Sequence, residues 1–145
     1  MSLDKEIMDG FHEETMALLG EASALVSQMD EQVDFTAASV PISEFAIRID
    51  RIMGAAKTIV AMDPNHSGLK KIGSLAQICK SISYKSIDKK AVELLPLMSA
   101  FFSDVIECME GLLATMNDEK KTEAVIEDFS SAMQGRLELL AKYLT

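Results

Sequence analysis

Asp50 is the side chain with the best claim to chemistry, and it sits in the stretch Asp50-Arg51-Ile52-Met53-Gly54-Ala55-Ala56. A carboxylate can carry a phosphoryl group as an acyl phosphate where a metal ion and an acidic pocket neutralise the developing charge. Asp50 has only Lys57 in prospect, two helical turns on, so its phosphorylation is not expected. The other titratable candidates are fewer still. His12 and His66 each follow an aspartate by three positions, as Asp9/His12 and Asp63/His66. Di-iron bundles use Glu-x-x-His on two helices together with further inward carboxylates. Here the second pair falls in a turn and no carboxylate lies on an apolar stripe, so neither a metal nor a cofactor is expected. Both histidines read as surface residues without a role. Cys79 and Cys108 occupy apolar helical positions with no Cys-x-x-Cys pair, the pattern of buried free thiols in a reducing compartment. There is no glycine-rich phosphate loop, no Ser/His/Asp arrangement and no zinc spacing. The chain is not expected to be an enzyme.

The elements that must position Asp50 are helical. The 145 residues are 48% hydrophobic, with ten methionines, three prolines and no tryptophan, a composition rich in helix formers and sufficient for one packed domain spanning residues 1–145. A formal charge of −9 repels phosphate backbones and argues against nucleic acid as a partner. No apolar run approaches the ~18–20 residues that cross a bilayer. The acidic N-terminus (Asp4, Glu6, Asp9) lacks a signal-peptide pattern, so the expected location is cytoplasmic.

Five amphipathic segments are expected. The first covers about residues 3–29, with Ile7, Phe11, Leu18, Ala22, Leu25 and Met29 inward. About residues 30–40 lack periodicity, and Pro41 then suits the first turn of a second helix. Its buried stripe is Ile42, Phe45, Ile49, Ile52, Ala56 and Ile59, and Asp63-Pro64-Asn65 breaks it. Ser67 can cap a third helix with Leu69, Ile72, Ala76, Cys79 and Ile82 inward. Asp88 can cap a long fourth helix running from Val92 to Met116, kinked by Pro96. After Asn117-Asp118 a fifth helix, about residues 118–144, presents Val125, Ile126, Phe129, Met133, Leu137, Leu140 and Leu144. The Met98, Phe101, Phe102, Met109, Met116 and Met133 set has core spacing and reads as packing. The expected fold is all-α: an up-down antiparallel four-helix bundle (core about residues 3–116) with an additional C-terminal helix. That last helix either covers a side of the bundle or pairs with another subunit, as a homo-oligomer, or with a partner.

On a helical wheel at about 100° per residue, Asp50 at zero has Gly54 near +40°, Lys57 near −20°, Ala46 near −40° and Met53 near −60°. The apolar stripe centres on the far side. Asp50 is therefore predicted to face outward beside a small residue and a lysine, with Ala46, Asp50, Met53, Gly54 and Lys57 forming one exposed face.

The stretch resembles the phosphoacceptor motif of histidine phosphotransfer (HPt) domains, His-x-x-Lys-Gly-[Ala/Ser/Thr]-Ala, with Asp50 in place of the histidine and Met53 in place of the lysine. Phe11-His12-Glu13-Glu14 is similar to the opening of the chemotaxis-kinase phosphotransfer domains, and Leu69 to Ile82 is similar to the family's third helix. The resemblance implies a four-helix phosphotransfer scaffold and, as partners, a response-regulator receiver domain or a histidine kinase domain. The two substitutions imply that the scaffold persists without phosphotransfer on histidine. A non-catalytic, HPt-like interaction module in two-component or chemotaxis-type signalling is thus expected, with Asp50 at the pseudo-phosphoacceptor position. Its rivals are phosphotransfer through a non-standard acceptor and a structural or oligomerising bundle. Like charges would oppose docking of Asp50 at a receiver's acidic pocket unless a magnesium ion bridged them. Asp50→His with Met53→Lys is expected to restore phosphoacceptance.

Overall fold

The computed structural model describes residues 4–90 and 92–144, and these form five α-helices, α1 (Lys5–Asp30), α2 (Phe35–Val60), α3 (Ser67–Lys89), α4 (Leu95–Ala114) and α5 (Glu119–Leu144). The protein is all-α, with no strand among the described residues. The expected start of the first helix at Leu3 lies outside the described residues. α1 begins where Asp4 accepts a hydrogen bond from the Glu6 N–H at 2.7 Å, relieving one of the unpaired donors of a helix N-terminus. Its inward face holds Phe11, Leu18, Leu19, Ala22, Val26 and Met29, whereas Ile7 is exposed and Leu25 only half-buried.

The second helix starts earlier than Pro41. Asp34 accepts from the Thr36 N–H at 2.9 Å, and Phe35 and Ala38 are buried. Residues 35–40 are therefore helical, and Pro41 lies inside α2. Pro41 has no N–H to give the Ala37 carbonyl, a cost the helix bears because Pro41 itself is buried with Ile42 and Phe45. The stripe then runs as expected, with Ile42, Phe45, Ile49, Ile52 and Ala56 wholly buried. Phe45 stacks on Phe102 of α4 with ring centroids 4.3 Å apart, so α2 and α4 meet across the core.

Two helix boundaries differ from expectation. α3 runs through Asp88 to Lys89 and is capped by Lys90, whose φ of 53° is left-handed and whose N–H reaches back to the Ser86 carbonyl. A single 3-10 turn (Val92–Leu94) follows, and α4 begins at Leu95. Asp88 is thus the last turn of one helix rather than the cap of the next. Pro96 falls in the first turn of α4, where its missing N–H breaks no bond of the ladder. Along α4, Met98, Phe102, Val105, Met109 and Leu112 are fully buried, and Phe101, Met116 and Met133 join the same core.

His66, expected to be idle, caps α3. Its Nδ1 accepts from the Leu69 N–H at 3.2 Å, and its Nε2 lies 3.1 Å from the Met116 carbonyl beyond α4. With Nδ1 accepting, the ring proton belongs on Nε2, which donates to Met116. Gly68 makes room for the ring: a Cβ there would stand 3.3 Å from His66 Cε1 and 3.5 Å from Thr122 Cγ2. Ser67, the expected cap, instead donates to Glu119 at 2.6 Å. Thr122 donates to the Thr115 carbonyl at 2.8 Å. These bonds pin the start of α5 to the start of α3.

Thr122, Met133, Leu140 and Leu144 of α5 are buried, and Arg136 forms an ion pair with Asp104 of α4. Its inward stripe therefore packs within the chain, against α4 and α3. Gly111 permits the approach, because a Cβ there would come within 3.0 Å of Val125 Cγ1. α1 touches α2 and α4, α2 touches α3, and α3 touches α4.

Two outcomes test these contacts. His66→Ala is expected to lower stability by about 1–2 kcal/mol, read by urea denaturation, since it removes a cap and strands a carbonyl. His66→Asn should recover only the cap portion. Gly111→Ala should fail to yield the ~1 kcal/mol that Gly→Ala normally gives a helix, because stiff Val125 must move.

Candidate functional site

Asp50 lies in the middle of α2, and its side chain is 51% exposed. The reason is rotational. With Ile42, Phe45, Ile49, Ile52 and Ala56 all turned into the core, the opposite side of the helix must meet water. Gly54 and Lys57 are exposed as well. A Cβ built at Gly54 would meet nothing within 4 Å, so the surface beside Asp50 is open.

Ala46 and Met53 do not belong to that surface. They are 0% and 8% exposed, because the flank of α2 on which they lie is covered by α3. The α2–α3 contact is the most extensive between helices in the molecule. Small residues face each other across it: a Cβ at Gly73 of α3 would sit 4.0 Å from the Cβ of Ala56, in ordinary van der Waals contact. Exposed neighbours on the other flank take their place. Ile47 is 45% exposed, one turn before Asp50, and Arg51 follows it into solvent.

The close approach of α3 also brings a partner that the α2 motif does not contain. Lys80 Nζ donates to Asp50 Oδ1 at 2.7 Å. The Lys80 ammonium is held above the ordinary lysine range, chiefly by this hydrogen bond and then by the charge of Asp50, against some loss of hydration. Lys57, expected to be the balancing cation, has no ion pair among the described residues. Lys80 follows Cys79 of the buried α3 stripe, so a wheel of α3 puts it at the edge of the interface. What no wheel contains is which residue of α2 that edge meets.

Chemically, the arrangement is a neutralised carboxylate beside an open glycine, flanked by Ile47, Arg51 and Lys57. Both thiols are buried, and burial pushes Cys79 far above the usual thiol range and Cys108 up to about 11, which disfavours the nucleophilic thiolate. Among the described residues, no three His, Cys, Asp or Glu side chains come together as ligands, and no helix is long and apolar enough to cross a membrane. Comparison with family models, with curated proteins and with solved structures found no match.

The Asp50–Lys80 pair carries a signed pH dependence. A lysine whose folded value is raised contributes stability that is complete below its unfolded value and is lost as pH rises through the folded one. The gap in urea midpoint between the wild type and Lys80→Met is expected to hold steady from about pH 6 to 9 and to close only above about pH 10.4. Gly54→Ala should stabilise the chain by ~1 kcal/mol, since nothing occupies the space its methyl would enter.

Proposed function

We propose that this chain is a non-catalytic helical module, similar to HPt domains, that docks a receiver or histidine kinase domain through the exposed face of α2 without accepting a phosphoryl group. The observation that carries the reading is the salt-bridged Asp50 carboxylate, set at the middle of α2 beside the open surface of Gly54. The helix contacts are consistent with a four-helix up-down bundle, since α1, α2, α3 and α4 close a ring of neighbours and α5 lies outside it on α3 and α4.

Lys80 changes the electrostatics of docking. A bare carboxylate would be repelled by a receiver's acidic pocket, whereas the Asp50–Lys80 pair presents nearly no net charge. Lys57 and Arg51 add cationic character at the rim. No bridging metal is needed for approach. Ile47 supplies exposed apolar area one turn before Asp50, and burying it on docking would add affinity. The docking residues are accordingly Ile47, Asp50, Arg51, Gly54 and Lys57, with Lys80 from α3.

The test is titration of the protein against a panel of receiver and kinase domains, with and without labelled phosphoryl donors. A partner is expected to bind while no label reaches the chain. Gly54→Trp should fold normally and weaken that binding at least about tenfold, because the indole would stand in the open space beside Asp50. Label that appears on the wild type and vanishes in Asp50→Ala would overturn the reading, as would binding indifferent to Gly54→Trp. Asp50→His alone is the informative gain-of-function variant, since Lys80 already supplies a cation. Met53→Lys would bury one.

A further inference from the structure

Beyond the ion pair, the seam between α2 and α3 opens into a groove of about 560 Å³, lined by Lys57, Val60, Leu69, Gly73, Lys70 and Ile78 with Ser74 and Gln77. The volume falls within the ~300–1,000 Å³ of small-molecule sites. Its floor is apolar. Leu69 and Gly73 are buried there, and Val60 and Ile78 are half-buried. Gly73 leaves the floor without a side chain at that point.

The polar residues around this floor are uncommitted. Among the described residues, Lys57, Lys70, Ser74 and Gln77 make no ion pair and no side-chain hydrogen bond. Both charged ones are cations, in a chain of net charge −9. Lys80, further along α3, is already neutralised by Asp50. A strip of apolar surface between two unpaired ammonium groups is complementary to a molecule with an apolar body and an anionic head.

We infer that the α2–α3 groove is a binding site for a small amphipathic organic anion, its apolar part on Val60, Leu69, Gly73 and Ile78 and its charge between Lys57 and Lys70. Ser74 and Gln77 hydrogen-bond the remaining head-group oxygens. The inference does not rest on the docking reading, and its assay contains no partner protein.

Decanoate below its micelle concentration is the probe, with decanol and decylammonium as charge controls, followed by amide chemical shifts of the full chain. Decanoate is expected to give saturable shifts at Val60, Leu69, Gly73 and Ile78. Decylammonium should bind at least about fivefold more weakly, and Lys70→Glu should weaken decanoate at least about threefold. Ser74→Trp, at an exposed position, should keep the spectrum of the fold and lower affinity at least about tenfold by filling the groove. Equal binding of all three probes, shifts centred on the exposed Leu139 and Tyr143 instead, or indifference to Ser74→Trp would overturn the proposal. So would saturation by an acidic amphipathic peptide without any by decanoate, which assigns the groove to a polypeptide.

Discussion

The burial of one face of α2 is the constraint on which the rest of the molecule depends. Ile42, Phe45, Ile49, Ile52 and Ala56 are wholly removed from water, each large member worth roughly 1.5–3 kcal/mol. Rotating α2 by even a third of a turn would expose several of them and bury Asp50 without enough partners. The hydrophobic term thus holds the carboxylate in solvent more firmly than any bond made by the carboxylate itself. The stacking of Phe45 on Phe102 fixes the same rotation from the side of α4.

A second constraint acts along the seam of α2 and α3. Ala56 and Gly73, both small, face each other across this contact, and the nearness of the two helices has three consequences. It covers Ala46 and Met53, it delivers Lys80 to Asp50, and it shapes the groove between Lys57 and Lys70. The surface that docks a partner in the proposed function, and the groove below it, are products of one packing choice. Charge is distributed accordingly: a chain of net −9 displays an internally neutralised pair and, along this one seam, two lysines without an ion pair among the described residues.

At the far end of the helices, polar contacts do what apolar packing does elsewhere. His66, Ser67, Thr115 and Thr122 join the α2–α3 connection to the α4–α5 connection. The imidazole caps one helix and secures a carbonyl beyond another, and Gly68 exists in a setting that has space for little else. The first turn of α5 is therefore held before its apolar residues are counted, which accounts for a docked rather than projecting terminal helix.

Periodicity alone determined the number of helices, their approximate extents, the inward stripes of α2 and α4, and the outward direction of Asp50, because a 3.6-residue repeat translates apolar spacing directly into a buried face. It misplaced the boundaries at Pro41 and Asp88 and expected a kink at Pro96, where a shift of one to two turns changes little in the pattern yet depends on caps made by Asp34 and by the left-handed Lys90. Only the tertiary structure decided what stands beside Asp50. Whether Met53 is covered, and which of the fourteen Lys and Arg side chains reaches the carboxylate, depends on how near and at what offset α3 lies. That offset is set by contacts between residues far apart in the chain, and a wheel of a single helix does not contain them.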